Sequence, residues 1–153
     1  MARPSELPAL RVVLDTQVLL RGAVARTESL TSKIYAAWRE GRFTLLLSEP
    51  IAAEVEEVLL RPEVLQKLHL NPVEARALVT LVRRRALFVT PETPIRQSRD
   101  PADDKFLECA VAGEADYIVS ADDDLLSLTE VQGIPVLDVP TFWRKLVELT
   151  LPG

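Results

Sequence analysis

The chain has almost no thiol or imidazole chemistry available to it. Among its 153 residues there is one cysteine, Cys109, and one histidine, His69. A lone cysteine excludes an internal disulfide and a thiolate zinc site, and a lone histidine excludes any centre that needs two imidazoles. Cys109 falls on an apolar helical face, where a small buried thiol is expected. No apolar run approaches the ~20 residues of a membrane-spanning helix, and no basic-then-apolar secretion signal precedes Arg11. A soluble, cytoplasmic protein without a membrane partner is expected. Positive charge is also short: the net charge is −5, unlike a simple nucleic-acid-binding module. There is no GxxxxGK sequence to cradle a nucleotide phosphate, no internal repeat and no low-complexity tract.

What the chain has is a core and a set of placed acids. Its length matches one domain of ordinary size, and 48% hydrophobic residues suffice for a core without disulfide or structural metal. Residues 1–10, with two prolines, read as a flexible leader, and 11–150 as a single domain. Strands are expected at 11–15, 43–47, 87–89, 117–119 and 134–137. Helices are expected at about 29–40, from a Ser48 cap to Arg61-Pro62, around 64–68, at 73–85 after an Asn71 cap, at 103–113, near 125–128 and at 141–149. Residues 90–102, with three prolines, read as a loop. Strands alternating with helices predict an α/β fold: a three-layer α/β/α sandwich on a mainly parallel sheet.

The acids fall where the apolar segments end. Asp15 closes Arg11-Val12-Val13-Leu14, where a carboxylate is costly unless paired or liganded; a helix cap or a turn aspartate is the alternative. Glu54 lies on the flank of the helical stripe Ile51, Val55, Val58 and Leu59, with Glu57 farther round and Glu56 toward solvent. Asp103 and Asp104 open a helix whose apolar positions are Phe106, Leu107, Ala110 and Val111. On the helical count Asp103 projects toward the centre of that face and Asp104 toward its edge, where it can serve the helix N-terminus. After Tyr117-Ile118-Val119 come Ser120, Asp122, Asp123 and Asp124. Ser120 is placed to meet a water or a phosphate oxygen, and Asp123 is expected to face outward. Ligands of open α/β sheets bind beyond the carboxyl ends of the strands. Carboxylates gathered there repel unless cations neutralise them, and an oxygen-only site suits Mg²⁺ or Mn²⁺. Arginines elsewhere, including Arg21, Arg26, Arg39, Arg42, Arg96, Arg99 and the run 83–85, offer a basic rim for a polyanionic substrate.

Several stretches together resemble the PIN-domain ribonucleases, in particular the branch of VapC-type toxins of toxin–antitoxin systems. They are Val13-Leu14-Asp15-Thr16, Ser48-Glu49-Pro50-Ile51 with Glu54 and Val58-Leu59, Arg99 through Asp104, Phe106-Leu107-Glu108, and Ala115 through Leu126. The resemblance spans about residues 11–146. It implies Asp15, Glu54, Asp103 and Asp122 as the metal-binding and catalytic set, with Thr16, Gln17, Asp104, Ser120 and Asp124 in support. It also implies a single-stranded RNA substrate, an antitoxin protein partner and a homodimer. Leu30, Ile34 and Trp38 would supply an interface, or else belong to the core. One departure is visible: the family usually has Asn where Gln17 stands, and the longer amide bears on how the first carboxylate is positioned.

The implied reaction needs no side-chain nucleophile, because ions held by the acids activate water and stabilise charge on the phosphate oxygens. Rival readings are a PIN-like RNA- or protein-binding module weakened in catalysis, and a Mg²⁺-dependent phosphotransfer protein. A phosphatase normally carries a second Asp at the position of Gln17. A receiver domain wants a lysine near a late strand end, and none follows Tyr117–Val119.

Overall fold

A computed structural model describes residues 8–150. Six strands form one sheet: β1 (Arg11–Leu14), β2 (Thr44–Leu47), β3 (Leu87–Phe88), β4 (Tyr117–Val119), β5 (Glu130–Val131) and β6 (Ile134–Leu137). Their order is β3-β2-β1-β4-β6-β5, and every pairing is parallel except β5 with β6. The architecture is the expected three-layer α/β/α sandwich. The helices are α1 (Thr16–Ala23), α2 (Leu30–Arg39), α3 (Glu49–Leu59), α4 (Pro62–Leu68), α5 (Pro72–Arg85), α6 (Asp104–Ala112), α7 (Asp123–Leu126) and α8 (Val139–Thr150). Among them α2 packs on α1 and α8, and α3 on α5 and α6.

The sheet order fixes where a ligand can sit. From β1 the chain runs outward through β2 to β3, then returns to lay β4 on the other side of β1. The connections leaving β1 and β4 therefore diverge, which opens a crevice beyond their carboxyl ends. Asp15 follows β1 there, and Ser120 follows β4.

Local signals explain most elements. The central strands β1 and β2 are almost wholly buried and carry unbroken apolar runs, as strands covered on both faces do. Ser29 caps α2 and Asn71 caps α5, each in a reciprocal box, with Ser32 and Glu74. Gly41, at φ +81°, turns the chain after α2. Ser48 takes the N-cap position of α3, but its side chain makes no capping bond, so the expected cap is positional only. Ile34 and Trp38 are core residues, 0% and 6% exposed, so they cannot form the proposed subunit interface; Leu30 is half-buried. Cys109 is buried, as expected, and burial pushes its thiol up to about 12. Residues 1–7 of the expected leader lie outside the described residues. Residues 8–10 are tied in, since Pro8 O accepts from Thr44 Oγ1 at 2.7 Å and Leu10 O from Thr44 N at 2.8 Å. No helix among the described residues is long and apolar enough to cross a membrane.

Two elements were not anticipated. Helix α1 starts directly at Thr16, with Asp15 itself as cap. Strand β5 pairs with β6 through a turn at Gln132-Gly133, both at positive φ (48° and 82°). Helix α1 approaches α2 closely because Gly22 has no side chain. A Cβ there would lie 2.4 Å from Thr31 O and 2.9 Å from Tyr35 Cβ. Gly22→Ala is therefore expected to cost about 1–3 kcal/mol, the range for overpacking a tight contact. Urea unfolding checks this: an unchanged or raised midpoint would show that the helices can part freely.

Candidate active site

Asp15 is 4% exposed and engages both sides of the crevice. Its Oδ1 accepts from Val18 N at 2.8 Å, which caps α1. Its Oδ2 accepts from Ser120 Oγ and from Ala121 N at 3.2 Å, both just past β4. The helix-cap alternative is thus realised, and it does not exhaust the residue, because a carboxylate has about four acceptor sites. Burial raises the Asp15 pKa, the three donors oppose that, and the charge of Asp122 adds to the rise. Ser120 is fully buried, so it does not meet a water or phosphate as expected. It holds Asp15, and its Oγ accepts from Asp122 N at 2.9 Å.

A second group of acids lies beside this one. Asp103, Asp122 and Asp124 each offer a carboxylate oxygen, and these three atoms lie within 4.8 Å of one another. Asp122 caps α7, accepting from Asp124 N at 2.9 Å. Asp103 Oδ2 is buried and has no hydrogen-bond partner among the described residues. Such an orphaned acceptor is expensive. Burial, and then the like charge and contact of Asp122, raise the Asp103 pKa to about 7. Asp124, expected only in support, belongs to this cluster. Asp123 is exposed, as expected.

Asp103 and Asp104 differ sharply, though not for the helical reason expected. Asp103 ends a 3-10 turn (Pro101–Asp103) and precedes α6. A 3-10 turn advances about 120° per residue, so an α-helical count cannot be carried back to Asp103. Asp104, not Asp103, is the buried one, and its Oδ1 accepts from Gln97 N at 3.2 Å and Ser98 N at 2.9 Å. It anchors the preceding loop.

Glu54 is half-buried on α3 and accepts from the Thr16 hydroxyl through Oε2. Its Oε1 lies 2.9 Å from Lys105 Nζ. Glu56, expected in solvent, is half-buried and 4.0 Å from Arg83; Glu57 is exposed and pairs with Arg61 at 2.9 Å. Asp15, Thr16, Gln17, Glu54, Arg61, Asp103 and Asp122 line one cavity of about 260 Å³. Gln17 is exposed in it, with no hydrogen-bond partner among the described residues. A larger cavity of about 480 Å³ lies elsewhere, along β3 and residues 89–94. Its Glu49 is paired with Arg83, and its Glu108 accepts from Ile95 N. Its glutamates, Glu92 included, form no group among the described residues close enough to share an ion, so the smaller cavity is the candidate site.

Sequence reasoning missed Lys105 and Arg61. Lys105 had a signal: a cation in the first turn of a helix opposes the helix dipole and calls for a local reason. Arg61 had none beyond the Arg61-Pro62 break. Arg99, expected in a basic rim, lies 3.9 Å from Asp124. The donor set is all carboxylate, and one buried oxygen lacks a partner. Both features fit a hard divalent cation, with Asp103, Asp122 and Asp124 nearest, and Asp15 and Glu54 lining the cavity that Asp103 and Asp122 also line.

Comparison with known proteins gives the family and the fold. The family model described as the PIN domain matches residues 11–124. No curated protein matches the chain. Among solved structures, the fold is similar to that of VapBC2 from Rickettsia felis, solved bound to a DNA fragment from their promoter. The TM-score is 0.56 at 9% identity, covering 84% of this chain and 98% of that one.

The raised Asp103 pKa has a sign that can be tested. Its folded pKa, about 7, exceeds its reference value of 3.8, so between these the folded state binds more protons than the unfolded. Stability of the metal-free protein must then fall as pH rises through that window. Asp103→Asn is expected to flatten this fall and to raise the melting temperature at pH 8 in chelator. Identical pH profiles for the two proteins would contradict the crowded-acid description.

Proposed function

This chain belongs to the PIN domain family, and on that premise we propose that it is a divalent-metal-dependent endoribonuclease, the toxin of a toxin–antitoxin pair. The observation that carries the reading is the group Asp103, Asp122 and Asp124, with the partnerless Asp103 oxygen at the parting of β1 and β4. The fold likeness to a VapBC2 structure supports the toxin assignment and an antitoxin partner.

In this reading Asp103, Asp122 and Asp124 hold Mg²⁺ or Mn²⁺, and Asp15 and Glu54 complete the acidic wall. When bound, the cation supplies acidification of water and neutralisation of phosphate charge. The chain supplies orientation. Ser120 and Ala121 fix the Asp15 carboxylate, and Ser120 also fixes the backbone that presents Asp122. Arg61 in the cavity wall and Arg99 beside Asp124 are placed to meet backbone phosphates. Hydrolysis adds water across the phosphodiester: a new P–O bond forms, the P–O3′ bond breaks, and a proton passes to O3′. Single-stranded RNA suits a shallow acidic crevice, since loops and ends expose their backbone.

A second reading keeps the fold and loses the chemistry. Gln17 favours it, since its amide reaches no partner among the described residues. One experiment separates the two. The purified chain is expected to cleave single-stranded RNA in Mg²⁺ or Mn²⁺ and to stop in chelator. Asp122→Asn is expected to lower the rate by more than about 100-fold, the upper loss for an outer-shell partner of a metal. RNA binding without cleavage would favour the binding module, and cleavage that survives chelator would defeat the metal reading.

A further inference from the structure

We propose that Lys105 is a built-in counter-cation of the acidic cavity and that it limits the site to one divalent ion. The inference rests on the metal-binding reading above. Its ammonium lies 2.9 Å from Glu54 Oε1 and donates to Ala102 O, and its side chain is only 16% exposed. The nitrogen also stands 5.2 Å from the centre of the Phe106 ring. A lysine free to choose would extend into water. This one is folded back against carboxylates, in the first turn of α6, where the helix dipole disfavours a positive charge. Glu54 offsets that cost, together with the Ala102 carbonyl and the Phe106 ring.

The other oxygen of Glu54 takes the Thr16 hydroxyl, so protein groups engage both oxygens. Glu54 also stands outside the tight group of Asp103, Asp122 and Asp124. Three aspartates with one orphaned oxygen leave room for one ion, while an ammonium already neutralises Glu54 and its charge also reaches Asp103. Two-ion sites hold their ions about 3.5–4 Å apart with carboxylates between them. A second ion on Glu54 would have to displace Lys105 or face its charge at short range, where like charges repel strongly in a partly desolvated site.

Counting bound Mn²⁺ tests this without reference to cleavage. The full chain, stripped with chelator, is titrated with Mn²⁺ while the free ion is followed by electron paramagnetic resonance. The wild type is expected to saturate at one Mn²⁺ per chain, and Lys105→Arg, which keeps the charge, also at one. Lys105→Gln and Lys105→Met are expected to take up two, with Met preserving the apolar stem beside Phe106 should Gln not fold. Two ions in the wild type, or one in both neutral variants, would overturn the role of Lys105 and leave the metal reading standing. No bound Mn²⁺ in any of them would overturn the metal reading, and this inference with it.

Discussion

The structure depends on one nearly inaccessible carboxylate, Asp15. It follows β1, caps α1, and accepts from the two residues after β4. Those two strands are neighbours whose connections diverge, and Asp15 ties their ends where the divergence begins. The same bonds decide the side-chain chemistry. With donors on both oxygens, Asp15 has a fixed orientation, and Ser120 passes that order on to the backbone of Asp122. Removing Ser120 Oγ would leave a buried carboxylate short of a donor, which costs more than the bond alone was worth.

Around this point the fold gathers negative charge against its own stability. Asp103 and Asp122 crowd each other, and burial holds Asp15 and Asp103 toward their neutral forms. Such pKa displacements cluster at functional sites. Lys105 and Arg99 offset part of the charge. The net acidity that argued against nucleic-acid binding in the sequence is thus partly local, with Arg61 in the cavity wall and Arg99 beside Asp124.

How much could be read from the sequence follows the range of each signal. Strands β1, β2 and β4 announced themselves as short apolar runs, and α2 and α5 through their caps, because those signals are contiguous. The acids were legible because each follows a strand or opens a helix, and topology then brings such positions to one edge. Helix α1 was not legible, since nothing separates it from β1 and Asp15 serves as strand end and cap at once. Two-residue β5 carried too little pattern to stand out. Asp103 was rightly set apart from Asp104, but the helical reason failed and the loop-anchoring job of Asp104 was not legible, because a 3-10 turn intervenes. Lys105 could not be placed at all, since its partner Glu54 sits on a different helix and only packing joins them.

We propose that three aspartates at the parting of β1 and β4 hold a divalent cation. Anomalous diffraction from a crystal grown with Mn²⁺ tests it most directly. A strong anomalous peak is expected within coordination distance of Asp103, Asp122 and Asp124 carboxylate oxygens, including the Asp103 oxygen that has no hydrogen-bond partner among the described residues. A peak elsewhere, or none at saturating Mn²⁺, would contradict it.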